Sequence, residues 1–472
     1  MRFSQETESF IKDFVNALKE NNAVVFAGAG MSIPAGYFDW KKLLEPVATK
    51  LGLIIAEEYD LTLLAQFFVD TNKGRGQLNQ LLAEEFHKAG ITPTENHKIL
   101  SRLPINIFWT TNFDSLIEDA LKDYGKTPDV KRHQADLAIN LPKRDAIIYK
   151  MHGDITDISN VVFTKHDYED YYQKRELFSN AFKADFVSRT MLFIGFSFSD
   201  PNLDYLISRI RTILRDNPKA DYYFIKEEED TQKIRRQKIR VESLKAYGLH
   251  PIWIKAYSEI TDVLKEIERR ILRNTVLISG SAHSYGDKWG VNQKAEQFIH
   301  DLSKQLSKEN LLIVSGFGLG VGSSVINGVL ENMTDKKNQN IDEYLILRPF
   351  PQFNTTTKSI KEIWKDYRVS FIPLAGVAIF VFGNKLQKNE IVKADGMIEE
   401  FEIAVQKGLK VIPIGCTGFV SQELYEKVMN NFTTYYPDDI HLKKDFELLG
   451  SADSEPQEII SIVIKIMKQL NK

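Results

Sequence analysis

Residues 23–32 read AVVFAGAGMS, an apolar run that leads into Gly28, Gly30 and Ser32. A short apolar run ended by glycines is typical of a buried strand followed by a tight turn. Such a turn lets the backbone approach a phosphate group closely. Ile33 stands where the dehydrogenase fingerprint would place a third glycine, so the stretch is not that fingerprint. A phosphate-binding turn and a purely structural turn are therefore about equally favoured by this stretch alone.

Strand-like runs alternate with helix-like segments along the whole chain, which is typical of doubly wound parallel sheets. Amphipathic helical patterns cover residues 5–21 and 258–274, and a fresh series of strands begins at residue 275. We therefore expect an α/β fold with two doubly wound, Rossmann-like parallel-sheet domains, residues 1–273 and 274–472. The strand-like runs span residues 23–30, 105–112, 146–153, 190–197, 221–226 and 251–257, then 275–282, 310–318, 343–350, 376–383 and 410–415.

The composition narrows the class of protein. The 472 residues are 43% hydrophobic and 26% charged, with a formal net charge of −3, so we expect no nucleic-acid partner. Cys416 is the single cysteine, which excludes an intrachain disulfide and a cysteine-based zinc site. The longest apolar runs are too short to span a bilayer, and the polar N-terminal sequence is unlike a secretory signal. We expect a cytoplasmic protein without a membrane partner or a bound metal.

Polar residues and a glycine follow three of the predicted strands, at the point where each strand ends. Ligands bind at the carboxyl ends of the strands in open α/β sheets, so these residues are expected to face one crevice. Each also has an ordinary structural role: a histidine in a capped turn, an asparagine turn, or an aspartate that caps a helix. The residues are Asn112, Asp114, His152, Gly195, Ser197 and Asp200.

The order of these motifs resembles the catalytic core of the sirtuins over residues 10–270. The motifs are GAGMS at 28–32, TNFD at 111–114, HG at 152–153 and GFS at 195–197. The resemblance implies cleavage of NAD⁺, with Asn112 orienting the ribose and the attacking water and His152 accepting a proton. It implies NAD⁺ contacts at Ala27, Gly28, Ala29, Gly30, Ser32, Asp114, Gly195 and Ser197.

The chain departs from the protein-deacylating sirtuins in one respect. Those enzymes carry a four-cysteine zinc module beside the acyl-peptide groove, and residues 10–270 contain no cysteine. Water then becomes the acceptor in place of acyl-lysine, and the expected products are ADP-ribose and nicotinamide.

A second glycine-rich loop lies in LLIVSGFGLGVGSSV, residues 311–325, with glycines at four alternate positions from Gly316 to Gly322. A flexible loop is the alternative, but this pattern is a stronger phosphate-binding signal than the first turn. With ISGSA at 278–282 and ADGMIEE at 394–400, it resembles the SLOG superfamily, which is related to the LOG phosphoribohydrolases. The arginine-bearing catalytic motif of those enzymes is absent, which favours ligand sensing.

A sirtuin-like domain followed by a SLOG domain resembles the effector family of the Thoeris anti-phage system. The resemblance implies that a cyclic ADP-ribose isomer, made by the TIR-domain protein ThsB, binds the SLOG domain and switches on NAD⁺ cleavage. NAD⁺ loss would then abort infection, and the active form would be a homotetramer. The implied effector-binding residues are Gly280, Ser281, Gly316, Gly318, Gly320, Arg368, Lys385, Gly396 and Glu400.

Three other functions stay open on the sequence. A zinc-less sirtuin-type protein deacylase would release nicotinamide faster with an acyl-peptide. A SLOG nucleotide phosphoribohydrolase would hydrolyse AMP even after loss of Asn112. A nucleotide-binding scaffold would do neither, and the presence of Asn112 and His152 at strand ends speaks against it.

Overall fold

The computed structural model describes residues 3–198, 200–214, 219–289, 292–334, 340–353, 357–451 and 453–471. The chain divides into two compact units, residues 1–268 and 269–472. The division falls within the helix Ser258–Leu272, which is described with the first unit.

The first unit is built on seven strands. They are β1 (Ala23–Ala27), β2 (Ile107–Thr110), β3 (Pro128–Lys131), β4 (Ala146–Lys150), β5 (Thr190–Ile194), β6 (Asp221–Lys226) and β7 (Leu249–Ile254). Its helices are α1 (Gln5–Lys19), α2 (Trp40–Lys50), α3 (Leu61–Thr71), α4 (Gly76–Phe86), α5 (Glu95–Arg102), α6 (Leu116–Asp123), α7 (Lys165–Glu169), α8 (Tyr171–Lys174), α9 (Glu176–Ser188), α10 (Pro201–Leu214), α11 (Thr231–Lys245) and α12 (Ser258–Leu272).

These strands form one parallel sheet in the order β3-β4-β2-β1-β5-β6-β7. The strand β1 is buried along its whole length, because the sheet is covered on both faces. It pairs with β2 on one side and β5 on the other, so the strand order reverses there. A crevice at such a switch point, outside the carboxyl ends of the strands, is the usual ligand site of an open α/β sheet.

The second unit repeats this plan on a smaller scale. Its strands are β8 (Thr275–Ser281), β9 (Leu312–Ser315), β10 (Leu345–Leu347), β11 (Val377–Phe382), β12 (Asn384–Gln387), β13 (Glu390–Lys393) and β14 (Lys410–Pro413). Its helices are α13 (Asn292–Lys308), α14 (Gly322–Thr334), α15 (Ile360–Phe371), α16 (Asp395–Gln406), α17 (Phe419–Asn430), α18 (Phe432–Tyr435), α19 (Lys443–Leu449) and α20 (Pro456–Leu470).

Five of these strands form a parallel sheet in the order β10-β9-β8-β11-β14, and β12 and β13 form a separate antiparallel hairpin. The strand β8 pairs with β9 on one side and β11 on the other, so the order reverses at β8. The two doubly wound α/β sheets expected from the sequence are thus confirmed, and each has its switch point at its first strand.

Two features differ from the expectations. The edge strand β3 and the hairpin β12-β13 are too polar to show as apolar runs, so the sequence did not reveal them. The first glycine turn does not lead straight into an α-helix. Two short 3₁₀ turns follow it, over Ala29–Met31 and Ile33–Ala35, and α2 begins only at Trp40. No helix in the described ranges is long and apolar enough to cross a membrane.

Candidate functional site

The first glycine turn packs directly on the end of β5. The amides of Gly28 and Gly30 donate to the carbonyls of Ile194 and Gly195, each at 2.9 Å. A Cβ on Gly28 would lie 2.5 Å from the Gly195 oxygen, and a Cβ on Gly195 would lie 2.3 Å from the Met31 nitrogen. Gly195 also has a φ of +67°, which side chains disfavour. These glycines are therefore required by a backbone-to-backbone contact that shapes the crevice floor.

Asn112 lies above this turn, at the end of β2. Its amide nitrogen donates to the Gly28 carbonyl and to the Ser32 hydroxyl, both at 3.0 Å. Its backbone N–H bonds to Thr110 Oγ1 at 2.9 Å, and that hydroxyl donates to the Ala27 carbonyl at 2.9 Å. Asn112 Oδ1 is buried and accepts no hydrogen bond from any described residue. A buried acceptor without a partner is costly, and a bound ligand or water would satisfy it.

Asp114 completes the polar floor of the crevice. Its Oδ2 accepts from the Ser32 hydroxyl at 2.7 Å, and its Oδ1 accepts from the Leu116 amide at 3.0 Å. The aspartate therefore caps the start of α6 and also orients Ser32.

A buried lysine anchors the loop that carries Asn112. Lys150 Nζ is fully buried and donates to the carbonyl oxygen of Phe113 at 3.1 Å and to that of Asp114. It also pairs with Glu118 at 3.0 Å and with Asp154 at 2.5 Å. Burial alone would lower the pKa of Lys150, but the facing carboxylates outweigh it and raise the pKa. The ammonium thus joins the end of β4 to the Asn112 loop. This role of Lys150 is not evident from the sequence.

His152 lies just beyond the end of β4 and is buried. Its Nε2 lies 3.1 Å from Asp200 Oδ2, and its ring packs edge-to-face against Tyr168 and Tyr171. Burial alone would raise the pKa of Asp200, but His152 and the hydrogen bonds to the carboxylate lower it.

The remaining residues assigned to NAD⁺ binding lie at the same end of the sheet. The Ala27 carbonyl is engaged by Thr110, Ala29 begins the first 3₁₀ turn, and the Ser197 carbonyl accepts from Arg240. The end of β1 and the segments that follow β2, β4 and β5 therefore lie at one edge of the sheet, as the parallel strand order requires.

In the second unit, Arg368 of α15 is the centre of a buried ion cluster. Its Nη1 donates to Glu399 at 2.7 Å and its Nε to Glu400 at 3.3 Å. Its guanidinium also lies over the Phe350 ring, 4.8 Å from the centroid. Glu400 in turn accepts from the Ser279 hydroxyl at 2.7 Å. Burial raises the pKa of Glu400, although Ser279 and Arg368 oppose the rise.

Lys385 and Gly396 adjoin this cluster. Lys385 Nζ forms an ion pair with Asp395, at the first residue of α16, and the pair lowers the pKa of that carboxyl. A Cβ on Gly396 would lie 2.4 Å from Arg368 Nη2, so a side chain at this position would displace the guanidinium. Both basic residues are therefore held by acids of the first turns of α16.

The second glycine loop packs on the end of β8. A Cβ on Gly318 would lie 1.9 Å from the Gly280 oxygen, and one on Gly320, which has a φ of +69°, would lie 2.1 Å from the Ala282 oxygen. Gly316 lies against the same Phe350 ring that Arg368 covers.

Ser281 Oγ donates to the Asn384 carbonyl, one residue before Lys385. This bond joins the end of β8 to the segment that carries Lys385.

Sequence reasoning did not identify Ser279, Phe350, Lys150 or Tyr168 as site residues. Ser279 and Lys150 lie inside largely apolar strand runs, where a polar residue in such a run was the available signal. Phe350 and Tyr168 come near their sites only through the fold. In the described ranges no group of three or more His, Cys, Asp and Glu side chains could hold a metal ion.

Comparisons with known proteins assign both units. Residues 106–252 match the family described as the SIR2-like domain, and residues 259–470 match the Sir2- and TIR-associating SLOG family.

Two relatives match over nearly the whole chain. The chain is 44% identical to NAD(+) hydrolase ThsA of Cytobacillus dafuensis over 98% of this chain and 97% of that protein. It is also 44% identical to NAD(+) hydrolase ThsA of Bacillus cereus (strain MSX-D12) over the full length of both. Defense-associated sirtuin 2 of Bacillus subtilis is 29% identical over 44% of this chain and 21% of that protein.

Proposed function

The chain belongs to the ThsA family of NAD(+) hydrolases, and we propose that its first unit hydrolyses NAD⁺ at the crevice between β1, β2, β4 and β5. The observation that carries this proposal is the buried Oδ1 of Asn112, which lies beside the glycine turn and has no partner among the described residues. The nicotinamide ribose, or the attacking water, would supply the missing hydrogen bond.

The reaction needs little covalent chemistry from the protein. The bond between the ribose C1′ and the nicotinamide nitrogen breaks, and its electron pair leaves with nicotinamide, which becomes neutral. Water forms the new bond to C1′, and His152 accepts the proton that water loses. Asn112 holds the reacting groups in register, an effect that supplies several kcal/mol. The products are ADP-ribose and nicotinamide.

We propose further that the second unit binds the activator of this reaction, a cyclic ADP-ribose isomer produced by a TIR-domain protein of the ThsB type. Arg368 and Lys385 suit the phosphates of such a ligand, and Glu400 suits a ribose hydroxyl. In this structure Glu399 pairs with Arg368 and Asp395 pairs with Lys385. The phosphates of the ligand would therefore replace these carboxylates on binding. Activation requires that the ligand bind the active arrangement more tightly than the resting one.

We propose that this chain acts in anti-phage defence as a homotetramer, and that its activation depletes NAD⁺ and aborts infection. The name of the Bacillus subtilis relative, a defense-associated sirtuin, supports this role.

NAD⁺ consumption by the purified protein tests the proposal, with and without each cyclic ADP-ribose isomer. Asn112→Ala is expected to abolish nicotinamide release, whereas Asn106→Ala, an exposed position before β2, leaves it intact. Arg368→Ala is expected to lose the response to the ligand, whereas Lys365→Ala, exposed on the same helix, keeps it. NAD⁺ consumption that survives Asn112→Ala would contradict the assignment of the site.

A further inference from the structure

Asp200 and His152 form a buried carboxylate–imidazole pair. His152 is 3% exposed, its Nε2 lies 3.1 Å from Asp200 Oδ2, and the Tyr168 hydroxyl donates to the same oxygen at 3.4 Å. The other carboxylate oxygen, Oδ1, accepts from the Leu203 amide at 2.9 Å and so caps α10. One aspartate thus fixes a helix terminus with one oxygen and the imidazole with the other.

The groups that face His152 come from several elements. Tyr168 of α7 and Tyr171 of α8 contact the ring edge-to-face, and the Tyr171 hydroxyl donates to the Met151 carbonyl at 3.4 Å. Arg175 lies beyond Tyr171, near the carbonyl of Lys150. Asp200 is the one carboxylate that the described structure places within ion-pair distance of the imidazole. Nδ1 of His152 makes no hydrogen bond to a described residue.

We propose that Asp200 is a positioning residue for His152 in NAD⁺ hydrolysis, an inference that rests on the proposed function. Its carboxylate accepts the Nε2 proton, which leaves Nδ1 as the basic nitrogen that takes the proton from water. The imidazolium that forms is then balanced by a carboxylate that stays ionised throughout. The proton passes to solvent as ADP-ribose leaves, so the pair returns to its starting state.

Asparagine separates the two roles of Asp200. It caps helices as well as aspartate does, so Asp200→Asn keeps the start of α10. It removes the negative charge, and its amide can donate to Nε2, which favours the tautomer with the proton on Nδ1. In serine proteases this wrong tautomer is the reason that the same substitution is so damaging.

The experiment compares Asp200→Asn with Asp204→Asn, an exposed aspartate in the first turn of α10, in the activated full-length protein. We expect kcat to fall by about 10²–10⁴-fold in Asp200→Asn, with KM for NAD⁺ changed by less than a few fold. The acid limb of the pH profile should move to lower pH, because a carboxylate favours the protonated imidazole. The thermal unfolding midpoint of Asp200→Asn should equal that of the wild type. Asp204→Asn should match the wild type in kcat, KM and unfolding midpoint.

Two results would overturn this inference. Unchanged kcat and pH profile in Asp200→Asn would show that Asp200 only caps the helix. A faster enzyme would show that the ion pair restrains His152 instead of assisting it.

Deuterium exchange at the imidazole C2–H of His152, followed by mass spectrometry, separates this inference from the proposed function. The exchange reports protonation of the ring and needs no NAD⁺. We expect its pH midpoint to fall in Asp200→Asn and to stay unchanged in Asp204→Asn. If the wild type hydrolyses no NAD⁺, the proposed function fails, while the exchange result still decides whether the carboxylate tunes His152. An unchanged midpoint would contradict the inference directly.

Discussion

The candidate sites of the two units lie at equivalent points of similar sheets, but their polar groups differ in how they are paired. In the first unit the buried acceptor of Asn112 has no partner among the described residues, and the groups around it are fixed by hydrogen bonds. In the second unit Arg368 and Lys385 are each paired with an acid of α16. A site that keeps an open acceptor is preorganised for chemistry. A site with paired cations must exchange partners to bind a phosphate, which suits a sensor.

The largest effect is expected for the lysine that anchors the first site. Lys150→Met would leave Glu118 buried without its cation and Asp154 paired with Arg132 alone, at a cost of roughly 3–5 kcal/mol in unfolding free energy. NAD⁺ cleavage should fall as the Asn112 loop loosens. Calorimetry and nicotinamide release measure the two effects.

The second unit offers the contrasting variant. Lys385 and Asp395 are more exposed, so Lys385→Met should change stability by less than about 1 kcal/mol while it weakens activation. If Lys150→Met is as stable as the wild type, the buried lysine contributes no more to stability than the exposed Lys385, and the contrast between the two units is wrong.

Substitutions in the two glycine turns should impair different activities. Gly195→Ala would force a Cβ against the Met31 amide at a φ of +67°, and we expect a loss of about 2–4 kcal/mol together with NAD⁺ cleavage. Gly320→Ala makes the matching clash in the second unit and should abolish activation. Gly52→Ala is the control, because Gly52 has a φ of +71° but open space around it. Equal losses in Gly195→Ala and Gly52→Ala would mean that backbone strain, not the close contact, is responsible.

A pH effect on stability should arise far from the chemistry. Burial raises the pKa of Asp221, at the amino end of β6, to about 6, against an ordinary value of 3.8. The contribution of this carboxyl to the free energy of unfolding is therefore complete below about pH 4 and is lost as the pH rises through about 6. Its size is on the order of 2–3 kcal/mol. Asp221→Asn should remove that slope in urea unfolding and leave kcat unchanged. Asp123→Asn, at an exposed position, should keep the pH dependence of the unfolding free energy. If Asp221→Asn also keeps this pH dependence, Asp221 is not its source.

The smallest effect is expected at the paired cations of the proposed effector site. Glu399→Gln removes the carboxylate that competes with a phosphate for Arg368, so activation should need about three- to tenfold less cyclic ADP-ribose isomer. Glu402→Gln, exposed on the same helix, should have no effect. Weaker activation in Glu399→Gln would indicate that Glu399 itself binds the ligand.

The fold was largely predictable because buried parallel strands appear as apolar runs ended by glycines. The strands β1, β5 and β11 carry this signal clearly. The edge strand β3 and the hairpin β12-β13 do not, since strands that are partly exposed need no apolar run.

The sites were predictable to the extent that their residues follow strand ends. Asn112, His152 and the glycines could be read in this way. Asp200 also follows a strand end, but its pairing with His152, like that of Phe350 with Arg368, could not be read, because the partners come from elements remote in sequence. Pairing of that kind depends on the register of the sheet and the angle of a helix, which a single sequence does not display.

Hydrolysis of NAD⁺ in water enriched in ¹⁸O, followed by mass spectrometry of the products, shows whether the first unit transfers the ADP-ribosyl group to water. ADP-ribose incubated in the same water is the exchange control. We expect one nicotinamide per NAD⁺ consumed and ADP-ribose that carries one ¹⁸O from solvent above the control, and neither product in Asn112→Ala. Nicotinamide release without ¹⁸O-labelled ADP-ribose, or no release at all in the presence of the activator, would contradict this expectation.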